Sequence, residues 1–109
     1  MTEVRIKRNS KSEITGYTVS GHAMFADAGE DIVCAAISML TINTLNAMEE
    51  FLPDEPMTVK VDRDKGIIDM GLKEDPTERS ELLLKTFYLG MTSLEKKYGS
   101  EYVKVVEIG

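Results

Sequence analysis

Residues 31–52, DIVCAAISMLTINTLNAMEEFL, form a long run that contains neither glycine nor proline. Such a run predicts a helix, and Pro53 and Pro56 predict where that helix ends. The fold class therefore depends on which secondary structure the segments before and after this helix form, since the helix must pack against it.

Two strands are predicted before the helix. Residues 3–8 contain VRIKR, whose alternation of apolar and charged residues is typical of a half-buried strand. Residues 13–21, EITGYTVSG, are rich in β-branched and aromatic residues and predict a second strand. The intervening NSKS suits a hairpin turn.

A hairpin, a second helix and a last strand are predicted after it. MTVKV and GIIDMGL flank the turn DRDKG, which predicts a β-hairpin over residues 57–72. The second helix follows EDPTERSE, with proline and acids at its start, a pair of lysines near its end and Gly99 as its stop. EYVKVVEI then predicts a closing strand.

The predicted order is ββαββαβ within one domain, residues 1–109. Two amphipathic helices can cover one face of a mainly antiparallel sheet, so the predicted fold class is α+β. A chain of this length can bury enough surface to form one core.

The charge balance narrows the class of partner. The net charge is −6, from 19 acidic and 13 basic residues, which argues against direct binding of nucleic acid and suits a basic partner. The one basic cluster, residues 5–11, is interpreted as a solvated edge strand.

No stretch approaches the roughly 20 apolar residues of a membrane span, and the N-terminus lacks a secretory signal. One cysteine excludes an internal disulfide, which fits a reducing cytosol. We therefore expect a cytoplasmic protein without a membrane partner.

Cys34, the only cysteine, admits two interpretations. A lone cysteine in an apolar helix commonly packs as a small hydrophobe. At 100° per residue, however, Cys34 stacks with Asp31, Ser38 and Thr41 on a polar stripe. The predicted apolar stripe consists of other residues: Val33, Ile37, Leu40, Ala47, Met48 and Phe51.

The position of Cys34 along the helix also favours a catalytic role. AGEDIVC places it in or near the first turn, where unpaired N–H groups and the helix dipole stabilise an anion. That environment lowers the pKa of a thiol and could also hold an oxyanion.

His22, the only histidine, is the candidate base. It follows Gly21 at the predicted end of a strand, and the next eight residues could return the chain to the helix. A Cys–His pair would match an activated-thiol hydrolase, whereas the alternative is an exposed loop histidine.

The sequence leaves open which residues would support Cys34 and His22. Asp31 could orient His22 or could simply cap the helix, and Asp27 and Ser38 are weaker candidates. Gly21 and Gly29 could be loop hinges or plain turn residues. One histidine and one cysteine fall short of a zinc ligand set, so we expect neither a metal nor another cofactor.

Together, GHA at residues 21–23, the eight-residue spacer that ends in GED, and DIVCAAIS at residues 31–38 resemble the bacterial ribosomal-processing cysteine proteases (Prp). Length and element order extend the resemblance over nearly the whole chain.

The resemblance implies a cytoplasmic endopeptidase with Cys34 as nucleophile and His22 as general base and acid. Asp31 or Ser38 would support them. It further implies a homodimer that removes the N-terminal extension of a large-subunit ribosomal protein, after aromatic residues.

Two other functions remain open from the sequence. One is a non-catalytic, ribosome-associated module that binds peptides. The other is a redox sensor, which would need an intermolecular partner because the chain holds no second cysteine.

Overall fold

The computed structural model describes residues 1–21 and 32–109. The elements are β1 (Thr2–Arg8), β2 (Ile14–Ser20), α1 (Ile32–Phe51), β3 (Met57–Asp62), β4 (Ile67–Leu72), α2 (Glu78–Tyr98) and β5 (Val103–Ile108). The predicted order ββαββαβ and the α+β class are confirmed, and the observed ends lie within a few residues of those predicted.

The five strands form one sheet in the order β3-β4-β2-β1-β5. Three neighbouring pairs are antiparallel, and β5 pairs in parallel with β1. The prediction of a mainly antiparallel sheet is therefore confirmed, with β5 as the exception. Helix α2 returns the chain to the end of the sheet where β1 begins. Strand β5 therefore runs in the same direction as β1. Because β1 has a neighbour on each side, the interpretation of residues 5–11 as an edge strand is wrong.

Both helices cover one face of the sheet. Tyr17 of β2 stacks on Phe87 of α2 with ring centroids 3.9 Å apart, and both side chains are almost fully buried. Leu40 of α1 lies where a side chain on Gly90 of α2 would have to stand, so this glycine lets the two helices approach closely. The core thus lies between the helices and the sheet.

The ends of α2 follow the signals in its sequence. The side chain of Thr77 accepts a hydrogen bond from the N–H of Ser80, and the Ser80 hydroxyl accepts one from the N–H of Thr77. This reciprocal arrangement is a capping box. The chain leaves the helix at Gly99, which has φ of 103°.

The expectation that no stretch approaches a membrane span is wrong for α1, which is long and apolar enough to cross a membrane by length and composition alone. In this fold one side of it is a core face, since Val33, Ile37 and Met48 are at most 5% exposed. The absence of a membrane partner stays a prediction.

The other face of the sheet carries a polar network. The Lys7 ammonium donates to Asp69 Oδ1 at 2.6 Å, and the Thr18 hydroxyl donates to the same oxygen. Partial burial raises the pKa of Asp69, but these two hydrogen bonds and the charges of Lys7 and Lys60 outweigh it and hold the pKa below its usual value.

We therefore expect Asp69→Asn to lower stability at pH 7 by roughly 1 kcal/mol, and by less in acid. A carboxyl group whose pKa is lowered on folding stabilises the fold above its unfolded pKa of about 3.9, and this contribution disappears as the pH falls through the folded pKa. Urea unfolding of both proteins at pH 7 and pH 3 measures the difference. A gap between the two proteins that stays constant with pH would contradict the assignment.

Candidate active site

Cys34 lies in the first turn of α1, which begins at Ile32 within the described residues. Its side chain is half-buried, so the sulfur is neither sealed in the core nor fully exposed. Ser38 lies one turn further along and is half-buried as well. The interpretation of Cys34 as a residue used only for packing is therefore disfavoured.

The predicted stripes of α1 need two corrections. Thr41, which we placed on the polar stripe, is fully buried, and Phe51, which we placed on the apolar stripe, is 68% exposed. The Thr41 hydroxyl donates to the carbonyl of Ile37 at 2.7 Å, so the helix itself satisfies this polar group and lets it enter the core. Leu52, rather than Phe51, closes the apolar face.

Tyr17 helps to place α1, a role that was not predicted from the sequence. The buried Tyr17 hydroxyl donates to the carbonyl of Thr41 at 2.9 Å and so joins the middle of β2 to the middle of α1. Burial raises the pKa of Tyr17 far above its usual value, which keeps the hydroxyl available as a donor. The tyrosine in the predicted strand EITGYTVSG was the only signal for this link.

This hydrogen bond fixes the position of Cys34 along the strand direction of the sheet. Helix α1 runs opposite to β2, because five residues connect its end to β3 at the end of the sheet where β2 begins. Cys34 is seven residues before Thr41, or about 10 Å along a helix. Ser20 is three residues beyond Tyr17, also about 10 Å along a strand. Cys34 is therefore level with the end of β2.

The end of β2 leads directly to the predicted base. Gly21 donates its N–H to the carbonyl of Gly66 at 3.0 Å, which ties the residue before His22 to the sheet. Gly21 has φ of 135°, and a Cβ on it would lie 2.6 Å from the Met1 carbonyl oxygen. Its role as a hinge stays a prediction, but the structure shows a close backbone approach that requires glycine.

Three predicted site residues, His22, Gly29 and Asp31, lie outside the described residues, and so does Asp27. The roles of all four therefore stay predictions. The structure places Cys34 level with the strand end from which the chain continues to His22.

Other candidate sites are less suited to this chemistry. A depression of about 570 Å³ is lined by residues that include Thr18, Lys60 and Asp69. These side chains lie on the face of the sheet opposite to α1, away from Cys34. Among residues 1–21 and 32–109, no group of three metal-ligating side chains is found, and the lack of a metal stays a prediction.

A half-buried thiol in the first turn of a helix is the setting in which thiol enzymes hold their nucleophile, and it points to the class of cysteine hydrolases. The family model described as cysteine protease Prp matches residues 1–104. The chain therefore belongs to the Prp family of cysteine proteases.

Individual relatives agree with the family. The ribosomal processing cysteine protease Prp of Bacillus subtilis is 28% identical over 102 residues, which cover 90% of each chain. The crystal structure of an essential ribosomal processing protease Prp from S. aureus, in complex with a covalently linked product peptide, matches with a TM-score of 0.86 and 25% identity. It covers 99% of this chain and 100% of its own. A solved protein from Streptococcus mutans is 30% identical, with a TM-score of 0.79 and 99% coverage of both chains.

Proposed function

We propose that this cysteine protease removes the N-terminal extension of a large-subunit ribosomal protein by cutting after aromatic residues. The observation that carries the proposal is the half-buried Cys34 in the first turn of α1, level with the strand end that leads to His22. The names of the relatives, which are ribosomal processing proteases, support the substrate class.

In the proposed reaction, the His22 imidazole takes the proton of the Cys34 thiol, and the sulfur attacks the carbonyl carbon of the scissile bond. The N–H groups of the first turn of α1 stabilise the oxygen that becomes negative. The imidazolium then gives its proton to the leaving amine, and a thioester remains on Cys34. Water attacks the thioester, His22 takes its proton, and the acid product leaves as the thiol re-forms.

The remaining roles are assigned by position. Asp31 would orient the imidazole, because a carboxylate beside the sulfur would instead raise the pKa of the thiol. Ser38, one turn from Cys34, would support the site from the same side of the helix. Gly21 and Gly29 would be the hinges of the segment between them.

The setting is part of the proposal as well. We place the protein in the cytoplasm, as a homodimer that meets the ribosomal precursor there. Its net charge of −6 suits a basic substrate. No metal or cofactor takes part.

The experiment is incubation with a tagged ribosomal-protein precursor, followed by mass spectrometry of both product ends. We expect one cut, after an aromatic residue, that releases the extension. A precursor in which the aromatic residues before the cut are replaced by alanine is the matched control and should stay intact. A precursor that remains uncut by the wild-type protein would contradict the proposal, and equal cleavage of the control would contradict the specificity.

A further inference from the structure

Strand β3 is an edge of the sheet in the part of the chain that the structure describes. Its only neighbour there is β4, with Val59 opposite Met70 and Val61 opposite Ile68. An edge strand offers unpaired backbone donors and acceptors to a second chain.

The register shows which backbone groups of β3 point outward. The N–H of Lys73 donates to the carbonyl of Pro56, so Pro56 directs its backbone oxygen toward β4. In an antiparallel ladder the backbone groups of successive residues point to alternate sides. Thr58, Lys60 and Asp62 therefore bond to β4. Met57, Val59 and Val61 direct their N–H and C=O groups to the outer edge.

The register between β2 and β4 agrees with this assignment. Gly21 donates to Gly66, which fixes Ile68 and Met70 as the β4 residues that bond to β2. Ile67, Asp69 and Gly71 are then the β4 residues that bond to β3.

The outward-bonding valines also expose apolar side chains. Val59 is 40% exposed and Val61 is 55% exposed, and both lie on the helix-covered face of the sheet. Their neighbours across the ladder, Met70 and Ile68, are almost fully buried. The edge of β3 thus combines unpaired backbone groups with side chains that water solvates poorly.

Cys34 faces toward this edge of the sheet. Leu40 marks the side of α1 that contacts α2, and α2 packs over β2 and β5. On the helix, Ile37 and Thr41 point to the sheet, and Cys34 is rotated from them in the direction away from Leu40. The side of α1 away from α2 is the side of β4 and β3.

Cys34 and the two valines also lie at similar positions along the strand direction. Val59 is level with Tyr17 through Met70, and Val61 is level with Val19 through Ile68. Cys34 is level with Ser20, one residue further toward the same end. An extended chain that leaves β3 beyond Val61 advances about 3.3 Å per residue, so three or four residues bring it to the sulfur.

We propose that the extended substrate peptide adds to the sheet as a sixth strand beside β3, bonded to the backbone of Val59 and Val61. Alternate side chains of the peptide pack against these valines, and the scissile bond lies a few residues away at Cys34. This inference rests on the proposed proteolytic function and specifies how that activity holds its substrate. It fits an enzyme that must position a flexible extension, because backbone hydrogen bonds give affinity along an extended peptide.

The first test is Val61→Pro, which removes one outward N–H without removing a bond to β4. For a peptide long enough to lie along β3, we expect kcat/KM to fall about tenfold, mainly through KM. Cleavage of a peptide trimmed to the residues beside the scissile bond should be unchanged. A wild type that cleaves neither peptide would end the proposed function, whereas equal losses on both peptides would end only the edge docking.

A side-chain variant tests the apolar contact without touching the backbone. Val59→Thr keeps the N–H and removes apolar surface, and we expect KM for the long peptide to rise about threefold. Ile108→Thr on β5 is the matched control, since Ile108 is 42% exposed at the far edge of the sheet, and it should leave KM unchanged. An equal effect of the two variants would overturn the docking site.

Amide hydrogen exchange gives a readout that does not depend on turnover or on a proline. When Cys34→Ala protein binds the long peptide, the amides of Val59 and Val61 should gain protection, whereas those of Thr58 and Lys60 are already protected by β4. No gain at the valines would overturn the proposal. Protection of the valines that rises with protein concentration, without peptide, would assign the edge to a second copy of this chain and overturn it as well.

Discussion

Replacing Cys34 with alanine is expected to abolish cleavage of the ribosomal precursor, with kcat/KM at least about a thousandfold lower. The chain has one cysteine, so no second thiol can take over the attack. Initial rates with the tagged precursor measure the loss. Ser93→Ala, at an exposed helix position whose hydroxyl only donates to the carbonyl of Leu89, is the matched control and should keep full activity. Retention of turnover by Cys34→Ala would contradict the assignment of the nucleophile.

The thiol itself should report on its surroundings. We expect iodoacetamide to label wild-type Cys34 at pH 6, where an ordinary thiol with a pKa near 8.5 reacts slowly. His22→Ala should slow labelling about tenfold if the imidazole holds the thiolate. Labelling is followed by mass spectrometry with and without bound product peptide. Equal rates for both proteins under both conditions would separate Cys34 from His22 and leave the helix as its only activator.

Local sequence patterns predicted the helices and strands because neighbouring residues determine where these elements form and end. Alternation in β1, the turn that ends in Gly66 and the capping and stop signals of α2 depend on neighbouring residues, and all of them are observed. Of the candidate site, the structure describes the position of Cys34 but not that of His22. The first-turn position of Cys34 follows from where α1 begins.

The parts that were missed depend on tertiary contacts. Thr41 entered the core because its hydroxyl bonds to its own helix and its carbonyl meets Tyr17, and no periodicity of polar residues encodes that pairing. The parallel entry of β5 beside β1 depends on where α2 delivers the chain. The outward direction of the backbone at Val59 follows from ladder register, which a sequence pattern does not specify.

The largest effect on the fold of the site is expected from Gly21→Ala, which should lower the free energy of unfolding by about 2–4 kcal/mol. Two independent costs combine at this residue. Its φ of 135° is a conformation that side chains rarely adopt, and its Cβ would lie 2.6 Å from the Met1 carbonyl oxygen and 2.9 Å from the Thr2 Cα. Both contacts are with backbone that β1 and β5 hold in place, so no side chain can turn aside to relieve them.

Gly71→Ala is the matched control within the same sheet. A Cβ on Gly71 would meet only Lys7 Nζ at 3.7 Å and Thr58 Oγ1 at 3.8 Å, which are ordinary contacts, so we expect a change below about 1 kcal/mol. Thermal unfolding followed by circular dichroism should show a Tm lowered by about 10 °C or more for Gly21→Ala alone. Because Gly21 directs the chain into His22, the variant should also cleave more slowly at temperatures where it remains folded. A Gly21→Ala protein with an unchanged Tm would mean that β1 yields to the added methyl group, and the strand end could then no longer be regarded as a rigid support for His22, the proposed base.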